Sequence, residues 1–293
     1  MAEGLRERIL YAARDGVATI TIDRPEKKNA LTFEMLDEIV RHVDAAERDD
    51  DVRVIVLRGN GDDFCVGHDL DQVPNMYGGT DKDNRRPAQR TRLSFDRRHA
   101  EQFRRILFSE KPVLALVRGN CMGAGMYLVE AADLAIADET ARLGHPEQRM
   151  NLCGASYLLT IDILTMGPKR AREMLLLGDM MDAREAKDFG LVNRVVADGE
   201  LDAAGEAWAE RIARLPRDGI AVGKAAMHAA LDSLGANSQF VQGYMAHTIG
   251  TNVRFEEGEF NFLRRRRDKG VSGAAAERDT FHAGNDGDDG KDD

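Results

Sequence analysis

The sequence predicts an α/β domain that continues into a helical C-terminal part. Three observations predict it. Short apolar, β-branched runs alternate with stretches of helical period over the first half of the chain, the signature of βαβ units and a parallel sheet with right-handed crossovers. After about residue 155 the strand signal nearly vanishes. With 293 residues, 43% of them hydrophobic and 31% charged, the chain is long enough for one large core plus a helical appendage.

Taken in order, Val17–Ile22 is rich in β-branched residues and stops at Arg24-Pro25, as a strand ending in a turn does. A helix follows, with Thr32 at its N-cap and Leu36, Ile39, Val40 and Val43 at helical spacing. Residues 52–57, Val113–Val117 and 134–137 are almost entirely apolar, the pattern of strands covered on both faces. Residues 73–98 carry glycine, proline and charge and read as a long irregular loop of functional kind. Beyond them, Gly167-Pro168 and Gly178 punctuate helices, Asp182 with Glu185 makes a capping box, and Gly190 fits a helix stop. Residues 201–215, 220–234 and 240–263 read as further helices, the last with apolar residues suited to docking on another subunit. The composition therefore divides into a core domain over 1–200, a helical region over 201–272 and a disordered acidic tail over 273–293. No internal repeat is present.

Charge and cysteine content exclude several classes. A formal net charge of -10 argues against general nucleic-acid binding, leaving Arg85-Arg86 and the run Arg264 to Arg267 as local exceptions. No stretch approaches the roughly 20 apolar residues of a membrane span, so a cytoplasmic protein without membrane partners is expected. Cys65, Cys121 and Cys153 are odd in number and lack metal-type spacing, which points away from disulfides and a zinc site. Cys65 and Cys121 fit small apolar fillers beside tight turns better than nucleophiles.

Two glycine-bearing turns each follow a buried-strand run. They are Phe64-Cys65-Val66-Gly67-His68-Asp69-Leu70 and Gly119-Asn120-Cys121-Met122-Gly123-Ala124-Gly125, and downstream of both lies Leu143-Gly144-His145-Pro146-Glu147. Together with Arg24-Pro25, Asn29-Ala30-Leu31 and the later Arg184-Glu185-Ala186 and Gly190-Leu191-Val192, they resemble the crotonase superfamily, also called the enoyl-CoA hydratase/isomerase family, from about residue 17 to 263. The resemblance implies a ClpP/crotonase-like fold of repeated ββα units in two packed sheets, with a C-terminal helical region that assembles a homotrimer or a dimer of trimers. It also implies an acyl-CoA thioester as substrate, coenzyme A entering only as part of that substrate, and neither metal nor tightly bound cofactor.

The family holds the thioester oxygen between two backbone N–H groups, which on this sequence would be those of His68 and Ala124. His68 stands where the family usually has alanine and Ala124 where it usually has glycine, yet a backbone donor survives either change. Lys28, Ala30, Leu31, Val66, Gly67, His68, Asp69, Leu70, Gly123 and Ala124 would line the substrate and CoA site. Lys27 and the arginines of the last helix would meet its phosphates, that helix reaching a neighbouring subunit's CoA.

Hydratases of the family use two glutamates. Glu147 matches the second, but the first is Tyr127 here, and a phenol with an ordinary pKa near 10 is a poor base at neutral pH. Glu130, three residues on, stands on the same helix face and either reaches the pocket or is a surface or salt-bridged carboxylate. Tyr127 is either a packed aromatic or a hydrogen-bonding acid. His145 is either structural, bonded to backbone, or a participant in a hydrolase. An enoyl-CoA hydratase-like enzyme is expected first. The alternatives are a single-glutamate enoyl-CoA isomerase, a ring-opening acyl-CoA hydrolase and a non-catalytic acyl-CoA-binding protein.

Overall fold

The computed structural model describes residues 4, 7–72, 87–150, 152–154, 156–251 and 256–283. Its main sheet has six strands in the order β1 (Ile9–Arg14), β2 (Val17–Ile22), β3 (Val54–Gly59), β4 (Val113–Val117), β6 (Leu134–Asp138) and β9 (Arg194–Val196). β1 and β2 form an antiparallel hairpin, and every later pairing in the sheet is parallel. The apolar runs divide by the period of two. Ile55, Leu57, Val113, Ala115 and Val117 enter one core, with α1 (Phe33–Arg48) and α2 (Gln89–Leu107). Val54, Val56, Leu114, Leu116 and Ile136 enter another, under α6 (Leu201–Ala213). Gly205 lets α6 approach: a Cβ there would lie 2.4 Å from Leu116 Cδ1.

A second sheet joins β5 (Asn120–Met122), β7 (Arg142–Gly144) and β8 (Met181–Asp182). Two single bridges, Leu31 to His68 and Cys65 to Cys121, tie the loops around it. Between the strands run α3 (Ala124–Ala131), α4 (Leu159–Leu177, bent at Gly167), and α5 (Ala183–Asp188). The chain closes with α7 (Arg217–Ser233), α8 (Ser238–Gly250) and α9 (Phe262–Ala283). Thr32 caps α1 by accepting from the Met35 N–H, and Asp182 with Glu185 completes a capping box on α5. Among the described residues no helix is long and apolar enough to cross a membrane.

The fold corrects three sequence readings. Residues 89–98 are helical, within α2, rather than part of a loop; the remainder of that segment, with Arg85 and Arg86, lies outside the described residues. The first turns of α2 escaped detection because their buried face is polar: Asp96 binds Thr248 Oγ1 at 2.5 Å and His247 Nδ1 at 3.0 Å, and Arg92 binds the Thr248 carbonyl at 2.9 Å. The helix expected over 240–263 stops at Gly250, and a separate helix starts at Phe262. The tail expected from Gly273 is helical as far as Ala283, because Ala274 and Ala275 pack with Phe260, Phe262, Leu70 and Met150; residues 284–293 lie outside the described residues.

Candidate active site

The first turn is set by a buried asparagine. Lys28 and Asn29 have φ of 50° and 58°, and Asn29 tolerates that left-handed geometry because its amide is fully engaged. It accepts from the Arg24 N–H at 2.9 Å and donates to the carbonyls of Asn60 at 2.9 Å and Asp63 at 2.6 Å. The following residues bridge the next turn: the Leu31 N–H donates to Gly67 at 2.8 Å, and the Asp69 N–H to Leu31 at 2.7 Å. Alternation along this extended segment points the His68 N–H to the opposite side. Val66 donates to the Lys28 carbonyl at 3.2 Å, and Asp69 pairs with Arg24 at 2.7 Å.

The second turn passes from β5 through Gly123, at φ 49°, into α3. Ala124 is the first residue of that helix, so its N–H has no intrahelical acceptor, and the helix dipole there favours negative charge. Glycines let the turns meet. A Cβ on Gly67 would sit 3.0 Å from the Met122 carbonyl and 3.4 Å from the Ala124 nitrogen, and one on Gly125 would collide with the Cys65 carbonyl at 2.3 Å. A Cβ on Gly123 would fall 2.7 Å from Glu147 Oε1. That carboxylate therefore lies directly against the start of α3.

Glu147 stands on a single 3-10 turn, Pro146–Met150. Its side chain is 23% exposed while its Oε2 is buried, with Oε1 turned to Gly123 and Oε2 turned inward. Inward lies His145, with Nδ1 3.6 Å from Glu147 Oε2 and Nε2 hydrogen-bonded to Glu130 Oε1 at 2.8 Å. Burial alone would lower the pKa of His145, but Glu130 and Glu147 outweigh it and hold the imidazole well above its ordinary value. For Glu147 burial raises the pKa, and the adjoining His145 reverses the sign, leaving it below the ordinary carboxylate value. Tyr127 is pushed well above 10 by burial and then by the charge of Glu147, so its phenol keeps its proton. Its ring packs 5.0 Å from Phe103 and 4.8 Å from His145.

Gly67, His68, Gly123, Ala124 and Glu147 thus converge. Glu130 does not reach the opening, nor is it a surface group: its side chain is completely buried behind His145. His145 is bonded to that carboxylate and not to backbone. The His68 side chain is half-buried and packs against aromatic rings. It lies 5.5 Å from Phe33 and 5.2 Å from His99, and burial, with His247, pushes it down to about 4. Ala30 and Leu31 are buried, and Leu70 packs under α9. Lys28 is largely exposed, whereas Lys27 is paired with Asp71 at 2.8 Å. Arg265 and Arg267 pair with Glu277 and Asp268 on α9 itself. Cys65 and Cys121 are buried, and burial pushes the Cys65 thiol up to about 12. Neither is a nucleophile.

Sequence reasoning missed Asp162, His99, Phe33 and Tyr157. Asp162 left a signal, since it occupies the buried stripe Leu158–Asp162–Met166 of α4, where a carboxylate is out of place. Glu130, His145 and Asp162 each place a donor atom within 4.8 Å of the others, a set able to hold a cation, but the direct 2.8 Å bond between His145 and Glu130 leaves no room for an ion between those two atoms.

Comparison with known proteins matches residues 12–269 to the family model described as enoyl-CoA hydratase/isomerase. The chain is 30% identical over 266 residues to the 1,2-epoxyphenylacetyl-CoA isomerase of Escherichia coli K12, covering 89% of this chain and 97% of that protein. Among solved structures, an enoyl-CoA hydratase/isomerase from Xanthobacter autotrophicus Py2 superposes with a TM-score of 0.75 at 33% identity, over 93% of this chain and 97% of that one. An enoyl-CoA hydratase from Mycobacterium smegmatis superposes with a TM-score of 0.82 at 26% identity, over 93% of each. The fold is the crotonase fold.

Proposed function

The chain belongs to the enoyl-CoA hydratase/isomerase family, and we propose that it acts on acyl-CoA thioesters by forming an enolate held between the His68 and Ala124 N–H groups, with Glu147 as the acid/base. The observation that carries this is the approach of Glu147 Oε1 to Gly123, where a Cβ would lie only 2.7 Å from that oxygen, at the residue just before the Ala124 N–H. In the proposed step the Glu147 carboxylate takes a proton from C2 and the electron pair moves onto the thioester oxygen. Each donor there is worth about 2.7–4 kcal/mol of transition-state stabilisation. With a 3-enoyl thioester the resulting dienolate takes that proton back from Glu147 at C4 as the electron pair returns from the oxygen. The double bond moves from C3–C4 to C2–C3, an isomerisation that needs one carboxylate.

Isomerisation is the reading we favour. Tyr127 replaces the first carboxylate and keeps its proton, and Glu130 is spent on His145. Hydration is the second reading, supported by the Mycobacterium smegmatis hydratase's close superposition. The residues facing coenzyme A in this reading are Lys28, Ala30, Leu31, Val66, Gly67, Asp69, Leu70 and Gly123, and no tightly bound cofactor enters any step. The rings of Phe33, Phe95 and His99 beside His68 favour a flat acyl group. Val241, Met245 and Ile249 form an exposed apolar stripe on α8, which fits a homotrimer or a dimer of trimers.

The test is to incubate the protein with 2-enoyl-CoA and 3-enoyl-CoA thioesters, aliphatic and aryl, in heavy-oxygen water and read products by mass spectrometry. Isomer without label is expected. A product carrying one labelled water would establish hydration, and binding without turnover across the panel would leave an acyl-CoA-binding protein.

A further inference from the structure

Behind Glu147 a line of ionisable side chains runs from the opening into the interior, crossing three elements. From the 3-10 turn come Glu147 and His145, from α3 Glu130, and from α4 Asp162. Glu130, His145 and Asp162 are almost wholly enclosed, with relative exposures of 6%, 1% and 0%. Among the described residues both Asp162 oxygens, Glu130 Oε2, His145 Nδ1 and Glu147 Oε2 lack a hydrogen-bond partner. Such a network is no gain in stability, because desolvating several ionisable groups offsets their mutual attraction. Its consequence is instead the charge and orientation it imposes at Glu147.

The protonation pattern follows from the geometry. His145 Nε2 meets Glu130 Oε1 at 2.8 Å, so Nε2 carries a hydrogen and donates it. Nδ1 then faces a second carboxylate oxygen, Glu147 Oε2, at 3.6 Å. That separation is too long for a hydrogen bond. An N–H there still attracts the carboxylate oxygen where a bare lone pair would oppose it, and the two carboxylates push the imidazole in the same direction, which favours hydrogens on both nitrogens. The other titratable groups facing this cluster are Tyr127, Tyr157, Cys121, Asp162 and, from the first turn, His68. Burial disfavours the charged forms of Tyr127, Cys121, Asp162 and His68. The positive charge therefore belongs to His145, placed between two carboxylates.

We propose that His145, clamped by Glu130 and backed by Asp162, is the positioning residue of the site: a standing imidazolium that holds Glu147 Oε2 inward and leaves Oε1 as the ionised oxygen presented to the substrate. This rests on the reading of Glu147 as the acid/base. His145 itself touches no reacting atom. It also explains how a site with tyrosine in place of the first carboxylate keeps a glutamate beside Tyr127 and Glu130 in the ionised form, ready to accept a proton.

The test follows deuterium exchange at C2 of a saturated acyl-CoA across pH, in the wild type and in Glu130→Gln, His145→Gln and Glu147→Gln. Loss of the imidazolium removes the group that keeps Glu147 ionised. The acid limb of the rate profile in His145→Gln and Glu130→Gln should then move up by about one pH unit or more. The plateau rate should fall about tenfold or more with KM changed far less, and Glu130→Asp should recover part of the loss. An unmoved acid limb in both variants overturns the proposal while Glu147 remains the base. Undiminished exchange in Glu147→Gln instead removes the underlying reading. Should the variants fail to fold, nitrogen-15 histidine spectra of the unaltered protein decide. One of its seven imidazoles should remain doubly protonated at about pH 8, and none doing so overturns the assignment.

Discussion

The rim and the floor of this site are made of different materials. The rim is backbone: two turns, pinned by Asn29 and by glycines at 67, 123 and 125, aim N–H groups whose own side chains are incidental. The floor is side chain: Glu147, His145, Glu130 and Asp162 in one buried line, where Glu130 and Glu147 raise the pKa of His145 and His145 lowers that of Glu147. A backbone rim tolerates exchange of the residue that supplies the donor, so histidine at 68 and alanine at 124 leave the geometry intact. A side-chain floor does not, since removing one member leaves a buried charge unpaired.

The contrast can be broken first at Gly123, where rim and floor touch. Gly123→Ala forces a left-handed φ on a residue with a Cβ and drives that atom into Glu147 Oε1. Steady-state kinetics should show kcat lowered about a hundredfold or more, comparable to losing a donor, with the fold intact by circular dichroism.

Next in size is a pH effect confined to the rim's side chains. The His68 ring is neutral in the folded protein, down to about 4, but titrates near 6.5 when unfolded. The stability it confers is present above about pH 6.5 and is lost as pH falls through that range toward about 4, a change of about 3 kcal/mol. Denaturant melts at several pH values should show the decline, and His68→Ala should flatten it.

A smaller effect is expected at the cap that aims α1 into the core beneath the first turn. Thr32→Ala removes the acceptor for the Met35 N–H and should cost about 1 kcal/mol in a urea melt, leaving turnover unchanged. The smallest concerns Tyr127. As a packed phenol it contributes its ring, so Tyr127→Phe should alter turnover by less than about threefold, in contrast to the floor carboxylates.

What the sequence made legible follows the same division. Rim residues announce themselves, because a glycine in a tight turn after a buried strand is a local signal, and Gly67, Gly123 and the Thr32 and Asp182 caps were read directly. Strands β3, β4 and β6 were equally plain, being apolar on both faces. The floor was half legible: Glu147 by its motif, Glu130 as a carboxylate of either the pocket or an ion pair, of which the ion pair is what the fold forms, though buried and not at the surface. Its true partner, His145, is fifteen positions away and meets it through the pairing of β5 with β7, strands of three residues each that leave no periodic trace. The first turns of α2 stayed hidden for a related reason. They are held to α8 by Asp96, Arg92 and Thr248, and helical turns packed through polar side chains do not show an apolar stripe.

The central claim is that Glu147 alone moves the proton. Its most direct test is to mix wild type and Glu147→Gln with an acyl-CoA in deuterium oxide and follow label at C2 by mass spectrometry, with thioester affinity measured in parallel. The account predicts exchange in the wild type and a loss of at least about a hundredfold in the variant at unchanged affinity. Exchange persisting in Glu147→Gln at the wild-type rate would contradict it.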